Sequence, residues 1–231
     1  LTAKALGVEL LIHYGHSCLI PMDPSSDIKV LYIFVDIKID PLHFIETIKM
    51  NFDKTSRLCL VSTVQFVTTL QSATNKLKED GYDVSIPQFK PLSPGEILGC
   101  TAPVLRCSDN VVYLGDGRFH LEAIMIANPK IQAFCYDPYS KKFTREYYDH
   151  NTMESVRKDF IELAKSAETI GVIMGTLGRQ GNPNVVNHLV KRLEESNKKT
   201  VVILLSEIFP DKLDLFKDVD AFVQIACPRL S

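Results

Sequence analysis

Cysteine is the residue type with the widest chemical range in this sequence of 231 residues. The six cysteines are Cys18, Cys59, Cys100, Cys107, Cys135 and Cys227. They are scattered, without a Cys-x-x-Cys pair or a dense secreted-type framework, which indicates a reducing, cytoplasmic compartment. Cys59 and Cys135 lie within apolar runs and are predicted to be buried thiols. Cys100 and Cys227 lie on turns of small residues, where a thiolate can point away from the backbone, although a lone cysteine is more often structural than a ligand.

Three titratable side chains, Asp116, Arg118 and His120, follow one another at the carboxyl end of an apolar run that predicts a strand. Ligands of open parallel sheets bind at that edge, so these residues are candidates for a binding site. The alternative is an Asp–Arg pair that caps a helix.

A glycine loop at residues 175–181 lies between a predicted strand and a predicted helix. Its backbone amides, with the helix N-terminus behind them, could hold a carboxylate or a phosphate, and Gly178, Arg179 and Gln180 are the candidate contacts. The spacing is G-x-x-G-x-x-G and differs from the dinucleotide fingerprint. A turn that uses glycine only for its positive φ is the alternative.

Short apolar runs alternate with amphipathic stretches along the chain, and this pattern predicts an α/β fold with parallel sheets. The predicted strands are residues 10–17, 30–37, 57–63, 83–87, 111–117, 131–138, 171–178, 200–208 and 221–227. The predicted helices are residues 41–52, 64–81, 153–168, 182–196 and 210–216. Asn182 and Pro183 are typical of a helix N-cap and first position.

The alternation repeats, which predicts small Rossmann-like units with parallel sheets. Residues 28–138 are predicted to form one unit carrying Cys100, and residues 139–231 another carrying Cys227, with the division at a polar segment, 139–151. Residues 1–27 are predicted to be the remnant of a further unit.

Composition excludes few classes of function. Hydrophobic residues make up 45% of the chain and charged residues 23%, as in ordinary globular proteins. The net charge of −2 gives no electrostatic reason to expect binding of nucleic acid or of an anionic membrane.

Seven strings in order along nearly the whole chain carry a family resemblance. They are HYGHSCLIPMD, KPLSPGEILGCT, YLGDGRFHLE, YDPYSKKFTREYYDH, GTLGRQGNP, LLSEIFP and ACPRLS. Together they resemble the family of 2-(3-amino-3-carboxypropyl)histidine synthase subunit 1, of the eukaryotic type, which takes part in the first step of diphthamide biosynthesis.

This resemblance implies three α/β domains, each donating one cysteine to a shared 4Fe–4S cluster. It implies a transferase in which S-adenosylmethionine binds the open iron of the cluster. A 3-amino-3-carboxypropyl radical would then be transferred to a histidine of elongation factor 2. The implied partners are subunit 2 of the synthase, elongation factor 2 as substrate and a small iron-containing electron donor.

Two of the three implied ligands can be assigned in this sequence. The EILGCT motif assigns Cys100 and the ACPRLS motif assigns Cys227. The first family cysteine lies in a motif upstream of the segment that begins at Leu1, so the chain is expected to be a truncated member. No catalytic residue beyond the cluster is assigned.

Two other functions remain open from the residues. A generic nucleotide-dependent α/β enzyme is disfavoured because G-x-G-x-x-G and a ribose-binding acid downstream of it are absent from the sequence. A non-catalytic partner subunit of the same complex is disfavoured because both motif cysteines are present.

Overall fold

The computed structural model describes residues 3, 6–14, 28–90, 92–99, 102–106, 108–176 and 181–226. The fold is α/β with mostly parallel strands, which confirms the predicted class. The described residues form two compact units, one up to residue 148 and the other from residue 149. None of the helices in the described ranges is long and apolar enough to cross a membrane. The three-unit division predicted from the sequence stays a prediction.

The elements follow one another in a regular alternation. The strands are β1 (Leu10–Tyr14), β2 (Lys29–Ile33), β3 (Leu58–Ser62), β4 (Val84–Ser85), β5 (Asn110–Leu114), β6 (Gln132–Asp137), β7 (Lys142–Glu146), β8 (Thr169–Gly175), β9 (Lys199–Leu205) and β10 (Ala221–Ile225). The helices are α1 (Pro41–Asn51), α2 (Val67–Glu79), α3 (Phe119–Ala127), α4 (His150–Lys165), α5 (Pro183–Glu195) and α6 (Pro210–Leu213). A single 3-10 turn, Val64–Phe66, precedes α2.

The first unit is built on a five-stranded sheet in the order β4-β3-β5-β6-β7. All neighbours are parallel except β6 and β7. Alternate residues of β3 point to opposite faces, so Leu60 packs with α1 and α2, whereas Val61 packs with α3. Helices therefore cover both faces, and β3 is buried along its whole length. The strands β1 and β2 form a separate two-stranded parallel sheet.

The polar segment 139–151 contains β7, a strand that the sequence analysis did not predict. β7 pairs antiparallel to β6 at the edge of the sheet, with Phe143 stacked on Phe134 at 5.4 Å between ring centroids. An edge strand facing water has few apolar residues, so its pattern resembles a loop. Helix α3 is also absent from the predicted helices, because its sequence, FHLEAIMIA, is apolar almost throughout and shows no helical period.

The second unit has a three-stranded parallel sheet in the order β10-β8-β9. This order matches the part β5-β3-β4 of the five-stranded sheet, since in both sheets one strand is flanked by the two strands that follow it in sequence. The predicted repetition of small parallel-sheet units is therefore confirmed. Asn182 caps α5 and Pro183 opens it, also as predicted.

Candidate functional site

The carboxyl ends of β3 and β5 form a topological switch point of the first unit, because the connections that follow these two strands lie on opposite faces of the sheet. The chain leaves β3 through α2 on one face, and it leaves β5 through α3 on the other face. A crevice at such a point is where ligands of open α/β sheets bind. Residues 115–120 lie here, between the end of β5 and the first turn of α3.

The turn from β5 into α3 depends on two glycines. Gly117 has a φ of +68°, which L side chains rarely adopt. A Cβ on Gly115 would lie 2.5 Å from the hydroxyl oxygen of Tyr113. That hydroxyl donates a 3.3 Å hydrogen bond to the backbone carbonyl of Asp116, and the side chain of Asp116 is exposed. The buried Tyr113 side chain thus fixes the backbone of the turn, while Asp116 is exposed to solvent.

Arg118 is engaged by three groups of its own unit. Its guanidinium donates to the Glu122 carboxylate at 2.8 Å, to the Glu146 carboxylate at 2.8 Å and to the Tyr147 carbonyl at 2.7 Å. The predicted alternative, an Asp–Arg pair that caps a helix, is not what the geometry shows. Because two carboxylates balance the charge of Arg118, its contacts favour a role in fixing the turn rather than direct pairing with an anion.

The chain segment before Cys100 lies against the start of α3. A Cβ on Gly99 would lie 2.5 Å from Cε1 of Phe119, so a larger residue at position 99 would require the Phe119 ring to shift. The Phe119 ring is also perpendicular to the ring of His120, with 5.3 Å between centroids. Cys100 itself lies outside the described residues. The structure therefore brings the residue before Cys100 next to the Asp116–His120 turn.

Backbone hydrogen bonds fix the segment that leads to Gly99. The amide of Ser62, at the end of β3, donates to Gly95 O at 2.8 Å, and the amide of Ile97 donates back to Ser62 O at 2.9 Å. Gly95 has a φ of +85° and lies against Leu70 and Ile86. Residue 96 thus pairs parallel to Ser62, on the side of β3 where β4 also lies. The sequence pattern alone did not indicate this pairing.

The glycine loop of the second unit is closed at its base. Gly181 packs against the carbonyl of Gly175, and a Cβ on Gly175 would lie 3.0 Å from Cβ of Ala226. The Asn182 side chain accepts from the amides of Asn184 and Val185, so those two donors are already used.

Predicted site residues adjoin this base in sequence. Gly178, Arg179 and Gln180 lie outside the described residues, as does Cys227, which follows Ala226 in sequence. An anion here would have to be bound by loop amides and not by the capped helix terminus.

The two buried thiols of the first unit, Cys59 and Cys135, are unreactive at neutral pH. Burial raises the pKa of Cys59 to about 12 and that of Cys135 to about 11. Cys59 is 1% exposed and Cys135 is 9% exposed, which confirms that both are core residues. Since the thiolate is the reactive and ligating form, neither is suited to bind metal at neutral pH.

Within the ranges that the structure describes, no three His, Cys, Asp or Glu side chains are grouped as a metal site requires. The candidate donors, Cys100 and Cys227, are thiols, and thiolates are the ordinary ligands of iron–sulfur clusters. Each follows a described small residue, Gly99 or Ala226, at the carboxyl side of a parallel sheet. The donor chemistry therefore fits such a cluster.

Comparison with known proteins places these features in a family. A family model described as "Putative diphthamide synthesis protein" matches residues 1–231. Subunit 1 of 2-(3-amino-3-carboxypropyl)histidine synthase from Nematostella vectensis is 61% identical, with 100% of this chain and 49% of that protein covered. The human protein of that name is 57% identical, with 100% and 53% covered. The chain thus spans about half the length of the curated relatives it matches.

A solved structure is also similar. The crystal structure of Dph2 from Pyrococcus horikoshii with a 4Fe–4S cluster superposes with a TM-score of 0.78 at 26% identity. The match covers 99% of this chain and 67% of that one.

Proposed function

Because the chain belongs to the diphthamide synthesis protein family, we propose that it carries part of the active site of a 3-amino-3-carboxypropyl transferase. The donor is S-adenosylmethionine and the acceptor is a histidine of elongation factor 2. The observation that supports this most directly is the contact of Gly99 with Phe119, which brings the residue before Cys100 next to the turn at the end of β5.

We assign Cys100 and Cys227 as two ligands of a 4Fe–4S cluster, with the third supplied by a cysteine of the longer protein. Dph2 from Pyrococcus horikoshii, similar over 99% of this chain, was solved with such a cluster. When bound, the cluster supplies the electron that breaks a carbon–sulfur bond of S-adenosylmethionine.

The protein residues bind and orient the cofactor and exclude water. Asp116 and His120 border the proposed pocket at the end of β5. Arg179, with the loop amides of Gly178 and Gln180, is proposed to hold the methionine carboxylate by charge pairing and amide donation. Arg118 keeps the turn in place through its bonds to Glu122, Glu146 and Tyr147. Shielding from water matters because a radical is easily quenched.

The proposed activity requires other proteins. The relatives are named subunit 1, which implies a complex of several subunits. We propose subunit 2 of the synthase as the partner and a small iron-containing protein as the electron donor.

Ligand substitution in the full-length protein tests the assignment. Cys100→Ser and Cys227→Ser should each abolish the visible absorbance of the anaerobically reconstituted cluster. Cys59→Ser is the matched control and should keep it, because the Cys59 thiol is buried in the core. A full cluster in Cys100→Ser or in Cys227→Ser would refute the ligand assignment. A wild-type full-length protein that holds no cluster, either alone or with subunit 2, would instead favour a non-catalytic role.

A further inference from the structure

Asn128 is a buried polar residue at the C-terminal end of α3, 6% exposed. Its side-chain carbonyl accepts a 2.6 Å hydrogen bond from the amide of Leu105. Its side-chain amide donates to Pro103 O and to Ile124 O, both at 2.9 Å. The carbonyl and both N–H groups of the side chain are therefore used, two of the three on the loop that follows Cys100.

Two segments on either side of Cys100 in sequence, residue 99 and residues 103–105, are attached to opposite ends of α3. At the N-terminal end, Gly99 lies against Phe119. At the C-terminal end, Asn128 holds Pro103 and Leu105. The helix has 9 residues, so these attachments are separated by roughly 13 Å along its axis. Between them, Ala102 packs on the core that α3 shares with the sheet.

We propose that Asn128 is a positioning residue for Cys100. The inference rests on the proposed function, in which Cys100 is a cluster ligand. Asn128 fixes the backbone at Pro103 and Leu105, three and five positions after Cys100 in sequence. The backbone before Cys100 is fixed separately, through the bonds between Ser62 and residues 95–97. Asn128 is the matching restraint after it.

Loss of the Asn128 amide would release the loop rather than leave it in place. The carbonyl of Pro103 and the amide of Leu105 would lose their partners, and a buried backbone group without a partner is unfavourable. The loop would therefore move outward to let water reach these groups, and Cys100 would move with it. The expected result is a cluster with a weakened or displaced ligand.

The test uses Asn128→Ala in the anaerobically reconstituted full-length protein. Two properties of the cluster are measured, the electron paramagnetic resonance spectrum of its reduced form and the rate of iron release to a chelator. We expect a changed spectrum and iron release faster by roughly tenfold or more, which corresponds to about 1.4 kcal/mol. A wild-type spectrum together with wild-type iron release would overturn the proposal.

Two further variants separate positioning from general stability. Asn128→Ser can still bond to the carbonyl of Ile124, as serine does four residues along a helix, but cannot hold both loop groups. It should release iron as fast as Asn128→Ala, and it serves as the test if the alanine variant fails to fold. Leu77→Ala weakens the same unit from the opposite face of the sheet, where Leu77 is fully buried. It should lower the unfolding temperature and leave the spectrum unchanged, and an equal spectral change in Leu77→Ala would refute positioning.

The proposed function is checked in the same series. If Cys100→Ser keeps the cluster, the ligand assignment itself fails. If Cys100→Ser loses the cluster and Asn128→Ala behaves as wild type, only the role of Asn128 fails.

Discussion

At the scale of single residues, the cysteines differ in what surrounds them. Cys59 and Cys135 are enclosed by apolar side chains of the α3 side of the sheet, and burial keeps both protonated at neutral pH. Cys100 and Cys227 follow Gly99 and Ala226, small residues packed at the carboxyl side of a sheet. The same residue type is therefore a core side chain in one setting and a proposed ligand in the other.

The pKa of the buried thiols predicts how stability changes with pH. The pKa values of Cys59 and Cys135 are raised from 9.0 to about 12 and about 11, so above pH 9 the unfolded chain releases protons that the folded chain keeps. The unfolding free energy should therefore fall as pH rises, by about 1 kcal/mol per thiol between pH 8 and pH 10. Urea unfolding under reducing conditions measures this.

The control for that experiment is the double variant Cys59→Ala, Cys135→Ala. It should lose about 2 kcal/mol of the pH-dependent change, since it lacks both thiols. An identical pH dependence in the variant and the wild type would contradict the effect of burial.

At the scale of elements, α3 connects the parts of the candidate site in the first unit. Its N-terminus carries the Asp116–His120 turn, its first turn contacts Gly99, and Asn128 at its other end holds the loop after Cys100. Arg118 in addition joins α3 to Glu146 at the end of β7. The antiparallel edge strand therefore helps to fix the site, although it contributes no proposed ligand.

Removal of Arg118 tests this link. Arg118→Ala should lower the unfolding free energy by about 1–2 kcal/mol, because charge-assisted hydrogen bonds are lost from a half-exposed side chain. Arg118→Lys should restore only part of it, since lysine lacks the planar fork that binds several groups at once. Denaturant unfolding measures both variants. Full recovery by lysine would show that charge alone matters.

The glycine loop makes a second prediction at this scale. In Gly181→Ala the new methyl group would meet the carbonyl of Gly175, so the base of the loop must open. Binding of S-adenosylmethionine to the cluster-loaded full-length protein should weaken by about tenfold, equal to about 1.4 kcal/mol, in calorimetric titration.

A second variant gives the control for the loop. Asn182→Ala removes the cap of α5 but adds no atoms between Gly181 and Gly175. It should lower the unfolding free energy by about 1 kcal/mol and weaken the binding of S-adenosylmethionine less than Gly181→Ala does. Unchanged affinity in Gly181→Ala would remove residues 178–180 from the proposed pocket.

At the scale of the whole molecule, the two units share one strand order. In the first unit β3 lies between β4 and β5, and in the second β8 lies between β9 and β10, so the central strand of each trio is flanked by the two strands that follow it in sequence. The proposed contacts at residues 116–120 follow β5, and Cys227 follows β10. β5 and β10 therefore occupy equivalent positions in the two sheets, but different residue types follow them.

The proposed reaction predicts a dependence on electrons that only the complete assembly can show. The full-length protein with subunit 2, elongation factor 2 and S-adenosylmethionine should modify the substrate anaerobically when a chemical reductant replaces the electron donor. Mass spectrometry of elongation factor 2 detects the added group. Efficient modification without any reductant would contradict the radical mechanism.

Local patterns in the sequence were enough to determine the fold class and several features of the elements. Alternating apolar runs and amphipathic stretches predict the parallel strands and most helices, because the periods of strands and helices are local properties of the chain. Asn182 and Pro183 mark the start of α5 for the same reason. The burial of Cys59 and Cys135 follows from the apolar runs around them.

The tertiary structure alone decided how distant segments meet. Glu146 is 28 residues from Arg118, and Asn128 is 23 residues from Leu105, so no local period reveals either pair. β7 escaped prediction because an edge strand is polar on its exposed positions, and only its pairing with β6 identifies it. The contact of Gly99 with Phe119 likewise depends on packing at the end of the sheet. Gly99 has no side chain, and this lets the segment that contains it approach the Phe119 ring closely.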